Sequence, residues 1–390
     1  MNILYVTPFY PPAYGFGGPV VVAHSIAKQL ARQGNNITVL TTDALDSAGR
    51  VINQQEVMDG VKVCRLPNIS PKLAKDFNVY TPVGLRPYLR SNIQRYQLVH
   101  LHAFFTYLNI QTTRACLRHH IPYVLHLHES PVPLPVLGKV AIKTIFNAVW
   151  GKRMLTNAAA IIVVSGREKE LLTKYLPELA GKITVIPNQL PEDLPVATVK
   201  RSDYGLSTQS KVLVSLSRLS RIKRIDAVIR ALHQLVEQDP SYQLLVAGAD
   251  EAGTKRELIS LVGELGLGSH VKFLGQLDAR TRAGLFSVAD VYVLFSHYES
   301  FSISTLEALY YGVPVCLSRG VGVAPDIIPS GCGVLVNDPS NVGEAAKAIA
   351  QTYQQRTELS AHCPAALERF QPEKRDNQLL EIYGRLVAGQ

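Results

Sequence analysis

Two glutamates, Glu299 and Glu307, lie eight residues apart in the stretch HYESFSISTLEALYYGVPV, His297 to Val315. An apolar run, ADVYVLF (Ala289 to Phe295), comes first and reads as a buried strand. Ser300, Ser302 and Ser304 then lead into Thr305-Leu306-Glu307-Ala308-Leu309, which reads as a helix start. A strand, a short polar turn and a helix N-terminus make an anion site, because backbone N–H groups point outward with the positive end of the helix dipole. Two carboxylates framing such a site suit a ligand with both phosphates and hydroxyls, a description that a nucleotide sugar fits. The same residues also fit a plain structural role. Ser304-x-x-Glu307 matches a capping box, in which Glu307 reaches back to its own helix N-terminus, and Glu299 is then an ordinary loop acid.

A second cluster, Ser217-Arg218-Leu219-Ser220-Arg221-Ile222-Lys223, follows the strand-like run KVLVSL and precedes a helical pattern. Cations at a helix N-terminus oppose the macrodipole, so a diphosphate suits this turn; the competing reading is a solvated helix start carrying Arg221, Lys223 and Arg224. Tyr14-Gly15-Phe16-Gly17-Gly18-Pro19 follows the first strand-like run, and its glycines allow close backbone approach to a phosphate, although G-x-G-x-x-G is not matched. His100-Leu101-His102 and His126-Leu127-His128 each put two imidazoles on one face of an expected strand. Two such pairs suggest a metal site, but no carboxylate or cysteine joins them, so packed core positions are expected, with His128 at the strand end facing a cleft. Pro133 to Arg153 reads as one basic amphipathic helix, with Lys139, Lys143, Lys152 and Arg153 beside Val140, Ile145, Phe146 and Trp150, suited either to a membrane surface or to covering a sheet. No Walker loop, H-E-x-x-H, Ser-His-Asp order or kinase signature is present.

The elements that must hold these residues alternate in type. Strands are expected at Ile3–Thr7, Asn36–Thr42, Val61–Leu66, Leu98–Leu101, Tyr123–Leu127, Ala160–Val164 and Ile183–Ile186, with helices between several of them, including Val20–Gln33, Thr106–Arg118, Val136–Leu155 and Glu168–Leu176. The pattern lapses at Pro187–Arg201 and restarts with strands at Val212–Leu216, Gln243–Ala247, Val271–Leu274, Val291–Phe295 and Val313–Leu317. This βαβα alternation predicts an α/β protein of two doubly wound Rossmann-like domains, 1–190 and 191–371, facing across a cleft at the strand ends. A final helix, 372–387, is expected to pack back on the first domain. At 390 residues, 47% hydrophobic and 18% charged, the chain is long enough for two cores. No segment is apolar enough to span a bilayer, and the start MNILYVTPFYPP does not read as a signal peptide. Cys64, Cys116, Cys316, Cys332 and Cys363 are scattered and odd in number, which suits free thiols in a reducing cytoplasm. The net charge of +9 is uneven: residues 1–190 hold 20 Lys and Arg against 9 Asp and Glu, and residues 191–390 hold 20 against 22. The basic half is expected to face something anionic, a phosphorylated substrate or an anionic membrane surface rather than nucleic acid.

Taken together, these motifs resemble the GT-B-fold retaining glycosyltransferases of family four over essentially the full length. The resemblance rests on E-x7-E (Glu299 to Glu307), R-x4-K (Arg218 to Lys223), IPN (Ile186 to Asn188), IIVVSGREKELL, IPYVLHLHES and FGGP. It implies that Arg218 and Lys223 neutralise the donor diphosphate in place of a metal, that Glu307 holds the ribose and that Glu299 holds the donor hexose. It further implies that backbone around Phe301, Ser302, Ile303 and Ser304 meets hexose or phosphate, and that Gly17 and Gly18 close over the diphosphate. His128 would meet the hexose, and the base would rest near Phe273 to Leu277, with Ser217 beside the phosphates. Ser302, Glu129, Gln189 and Ser217 stand where the family usually has glycine, which is expected to reshape the hexose pocket more than the catalytic set. The implied activity is metal-independent transfer of a hexose with retention to a saccharide or lipid-linked acceptor. Glucose from UDP-glucose is expected first on base rate and from no residue, and the basic first half, suited to an anionic lipid or lipid-diphosphate acceptor, suggests surface polysaccharide assembly. No cofactor is expected beyond the nucleotide sugar, and the implied setting is cytoplasmic, peripheral on the inner membrane face. The alternatives are a non-catalytic sugar-nucleotide-binding scaffold and a GT-B epimerase or phosphorylase.

Overall fold

The computed structural model describes residues 1–389 except 47, 48, 78, 192, 193, 198 and 252. The chain divides into two compact units, Met1–Pro191 with Pro372–Gln390, and Glu192–Gln371. Each has a sheet of mostly parallel strands, whose buried apolar runs mark coverage on both faces.

The first unit holds β1 (Asn2–Val6), β2 (Asn36–Thr42), β3 (Gln55–Met58), β4 (Val61–Leu66), β5 (Leu98–His102), β6 (Tyr123–His126), β7 (Ala160–Val163) and β8 (Ile183–Val185), in the order β3-β4-β2-β1-β5-β6-β7-β8. β3 is an edge strand not anticipated from periodicity; it pairs antiparallel with β4, Met58 opposite Val61. The turn is Asp59-Gly60 with φ of 50° and 80°, the left-handed pair that a two-residue hairpin requires. The last helix, Pro372–Ala388, returns to this unit, against the Gly18–Arg32 helix and β5. It brings a fully buried Arg375–Asp376 pair (2.8 Å) and Tyr383, which hydrogen-bonds His100.

The long basic helix expected over Val136–Leu155 is interrupted. Gly138 (φ 64°) and Lys139 (φ 51°) are left-handed, so a regular helix begins only at Val140 and runs to Phe146. A π turn, Asn147–Gly151, follows before Lys152–Asn157. Its cause is local: the Asn147 amide turns inward to donate to Pro131 O (2.8 Å), and Gly151 fits where a Cβ would lie 3.1 Å from the Phe104 ring.

The second unit holds β9 (Lys211–Leu216), β10 (Tyr242–Ala247), β11 (Val271–Gly275), β12 (Val291–Leu294), β13 (Val315–Ser318) and β14 (Gly333–Val336), in the order β11-β10-β9-β12-β13-β14. β14 was not anticipated; Gly333 lets it pair tightly with β13, since a Cβ there would lie 2.1 Å from Val315 O. This is the doubly wound dinucleotide-fold order, and its reversal point lies between β9 and β12, where the rule for such sheets places ligands beyond the strand carboxyl ends. Among the described residues no helix is long and apolar enough to cross a membrane.

Candidate functional site

The two loops that leave the reversal point are the two motif loops. After β9 the chain runs through Ser217 to a short 3-10 turn, Arg221–Lys223, and then the Ile225–Gln238 helix. After β12 it runs through His297 and Glu299 to the Ile303–Tyr310 helix. They are joined by backbone, His297 N–H donating to Ile222 O (2.8 Å), and by side chains, Lys223 ammonium to the Glu299 carboxylate. Lys223 is buried and Glu299 partly exposed, so the pair is only partly screened by water. Arg218 and Arg221 are different: they are exposed and pair with Glu251 (2.9 Å) and Glu257 (2.6 Å). Lys223, Arg218 and Arg221 therefore each have a carboxylate partner. Arg221 is the solvated cation that the competing reading anticipated, whereas Lys223 is built into the site.

Glycines outside the recognised motifs make these loops possible. A Cβ on Gly248 would lie 1.7 Å from Ser217 O, so only glycine lets the loop after β10 press against the start of the cation loop, where Leu219 N–H reaches Ala249 O. Glu299 is held through its backbone, its N–H donating to Gly320 O (2.9 Å) and its carbonyl accepting from Gly322 N–H (2.8 Å). A Cβ on Gly320 or Gly322 would lie 1.8 Å from Ser296 O or 2.1 Å from Ser300 O. The only trace in the sequence is the doublet Gly320-Val321-Gly322 shortly after a strand.

The capping-box reading of Glu307 is overturned. The N-cap is Ser302, whose Oγ accepts from Thr305 N–H (3.3 Å) and from the Thr305 hydroxyl (2.7 Å). Glu307 turns instead to Arg282 on the Ala279–Val288 helix, which grips both carboxylate oxygens (3.2 and 3.1 Å). Burial pushes the Glu307 carboxyl up, and the guanidinium opposes that shift. Arg282 was missed because it is separated by 25 residues from its partner and matches no motif. Ser302 itself has φ 90°, the glycine conformation, and its side chain is buried and spent on the cap. Its hydroxyl is thus directed to the first turn of the helix. Phe301 is likewise buried, with its ring 5.7 Å from that of Phe370, so only its backbone is suited to a ligand. Ser304 bonds the buried Tyr292 hydroxyl (2.8 Å), and Ile303 opens the helix. Leu277 contributes a carbonyl to Arg282 (3.3 Å), and the Ser217 hydroxyl turns to Arg218 O (3.2 Å).

In the first unit Gly17 (φ 86°) is the N-cap of the Gly18–Arg32 helix, and a Cβ there would meet nothing within 4 Å, so the approach to it is open. The preceding loop is tied by Arg65, fully buried, which donates to Pro11 O (2.6 Å) and Asn53 O (2.9 Å) and pairs with Glu56 (2.6 Å). The histidines form a column: His100 on His102, His102 on His126 and on His128, with centroids 4.6 to 5.0 Å apart and planes within 30°. The ligating atoms of His100, His102 and His126 lie within 4.8 Å of one another. Within this trio His102 lies within 30° of both neighbours, whereas His100 and His126 are tilted by 48° to one another. His128, two residues beyond the end of β6, stacks on this column and is partly buried. Its Nε2 lies 2.7 Å from His102 Nδ1, and burial lowers its pKa to about 4, so it is neutral at pH 7.

Comparison with known proteins decides the family. Residues 16–193 match the family described as Glycosyltransferase Family 4, and residues 197–370 match that described as Glycosyl transferases group 1. The chain belongs to glycosyltransferase family four. Among similar proteins is a D-inositol 3-phosphate glycosyltransferase of Xylanimonas cellulosilytica, 25% identical, the match covering 99% of this chain and 96% of that one. Among solved structures, sucrose-phosphate synthase from Thermosynechococcus elongatus has a TM-score of 0.76 at 22% identity, covering all of both chains. Anabaena HepE, solved with UDP and glucose, has a TM-score of 0.75 at 21% identity, covering 99% of this chain and 100% of that one. The fold of this family-four glycosyltransferase is thus GT-B, two parallel-sheet α/β domains.

Proposed function

We propose that this glycosyltransferase moves a hexose, glucose from UDP-glucose first, onto a saccharide or lipid-linked acceptor with retention of configuration and without a metal. The observation that carries the reading is the joining of the Arg218–Lys223 loop to the Glu299 loop at the reversal point of the second sheet. A nucleotide diphosphate leaving there meets Lys223 and, once Arg218 exchanges Glu251 for phosphate, a second cation; positioned positive charge is what a departing diphosphate requires. Glu299 is set beside Lys223 to accept from the hexose hydroxyls, and Glu307 to accept from the ribose. On the family resemblance, Gly17, Gly18 and His128 are assigned donor contacts, and residues 1–190 the acceptor. Front-face displacement is favoured, with no cofactor beyond the sugar nucleotide. HepE was solved in complex with UDP and glucose, which supports UDP as the first nucleotide to test.

The acceptor side is read from the first unit. Ile142, Ile145 and Val149 are 67%, 62% and 56% exposed on the Val140–Gly151 segment, near Lys139, Lys143, Lys152 and Arg153. That stripe supports docking on an anionic bilayer bearing a lipid-linked acceptor, and with it a role in surface polysaccharide assembly on the inner membrane face. The deciding experiment is a thermal-shift screen with UDP, GDP, ADP and their hexose conjugates, since a ligand of the native state raises its stability. UDP and UDP-glucose are expected to shift the midpoint most, and no shift with any nucleotide would overturn the reading. Retention is then read from the product's anomeric proton, and docking from sedimentation with anionic vesicles, which neutralising the four cations should abolish.

A further inference from the structure

Glu307 is the most buried carboxylate of the motif set, with its side chain 6% exposed, and Arg282 meets it in the two-point, fork-to-fork geometry of a guanidinium on a carboxylate. The third arm of the guanidinium reaches the Leu277 carbonyl (3.3 Å), at the end of the loop that leaves β11. Arg282 therefore ties together three things: the helix that carries it, the β11 loop, and the second glutamate of the motif. A carboxylate offers about four lone-pair positions. Two are taken by Nε and Nη2, which leaves two, one on each oxygen, for a pair of adjacent hydroxyls.

We propose that Arg282 is the positioning residue for the donor's ribose: it clamps Glu307 so that the carboxylate's remaining lone pairs accept from a vicinal diol. The role rests on the reading of Glu307 as the ribose ligand. Arg282 itself touches no substrate; it acts by fixing the angle of Glu307 and by supplying the charge that lets a buried acid stay ionised. Burial works the other way, favouring the protonated acid. The other titratable groups near this glutamate cannot take over that task. Tyr311, at the end of the same helix, spends its hydroxyl on Pro195 O (2.8 Å). Cys363 and Cys316, on the segments packed against that helix, are buried thiols, both pushed up to about 12. Without Arg282, Glu307 would take up a proton as the pH falls, and a protonated acid loses acceptor capacity toward a diol.

The test uses the full-length chain and compares UDP with 2′-deoxy-UDP by titration calorimetry from about pH 5.5 to 8.5, in the wild type, Arg282→Leu, Arg282→Lys and Glu307→Gln. The wild type should prefer UDP by about tenfold to hundredfold, the range expected for a hydrogen bond to a charged group. Arg282→Leu should lose most of that preference and should bind UDP more weakly relative to the wild type as the pH falls, beyond the change that the terminal phosphate of UDP gives both. Arg282→Lys, which keeps the charge but not the fork, should restore the wild-type pH profile and only part of the preference; it also serves if the leucine variant does not fold. A leucine variant with the wild-type preference and pH profile, beside a Glu307→Gln variant that has lost the preference, overturns the role of Arg282 alone. If Glu307→Gln still discriminates, the ribose reading of Glu307 falls and the proposal with it.

Discussion

The Lys223–Glu299 contact makes a quantitative prediction. Lys223→Met keeps the aliphatic stem but leaves Glu299 without its cation in a site where the two side chains are 8% and 22% exposed. Removing one partner of a fully buried pair costs about 3–5 kcal/mol. The partial exposure of Glu299 lets water replace some of that interaction, so about 2–3 kcal/mol is expected here. For a unit of this size each kcal/mol moves the midpoint by about 2–4 °C, which gives a drop of roughly 5–10 °C. Glu299→Gln alone should cost less, because a neutral amide can still accept from lysine. The double variant should recover more than half of the Lys223→Met loss, because no charge is left unpaired. Arg221→Gln is the internal contrast: its pair with Glu257 is exposed (81% and 51%), and the midpoint should stay where it is. The assay is thermal unfolding by circular dichroism, repeated in urea and at two salt concentrations. A Lys223→Met midpoint within about 1 °C of wild type, or a double variant that merely sums the single losses, refutes the coupling. The pair would then be a surface contact like that of Arg221.

Three further outcomes follow from the same geometry. Ser302→Ala should destabilise by about 1 kcal/mol, losing the cap while keeping the left-handed backbone, whereas Ser302→Gly should be close to neutral because relief of that backbone offsets the lost hydroxyl; urea midpoints separate them. Gly248→Ala should displace the Ser217–Arg218 turn, since its Cβ would lie 1.7 Å from Ser217 O, and should weaken UDP binding by more than it lowers the midpoint, read by calorimetry on the folded fraction. The histidine column gives a pH signature. His128 has its pKa lowered from 6.5 to about 4, and burial lowers those of His100, His102 and His126 as well, so the unfolded chain takes up protons first. Stability is whole above about pH 6.5 and should be lost as the pH falls toward about 4; His128→Asn should make that slope shallower in thermal scans from about pH 7 to 4.5.

Much of the frame was legible from local pattern. β2 and β4 begin and end where the apolar alternation does, and the parallel strands read as continuous apolar runs because helices cover both faces. β3 escaped because its exposed face carries no clean apolar period, although Asp59-Gly60 marked the hairpin. The long helix over Val136–Leu155 was misread because periodicity ignores a left-handed Gly138-Lys139 and an inward Asn147. Within the site, Arg218, Lys223, Glu299 and Glu307 were visible because close spacing along the chain preserved their motifs.

What the sequence alone determined is therefore the set of chemical groups and the two doubly wound sheets, since side-chain type and strand and helix periods are local properties. Partnership was decided only in three dimensions. Lys223 meets Glu299 across 76 residues, and Arg282 meets Glu307 across 25, because the order β11-β10-β9-β12 brings distant loops to one edge of one sheet. Gly248, Gly320 and Gly322 matter for the same reason: each is required by an atom of another loop, and no residue beside it in the chain reports that closeness.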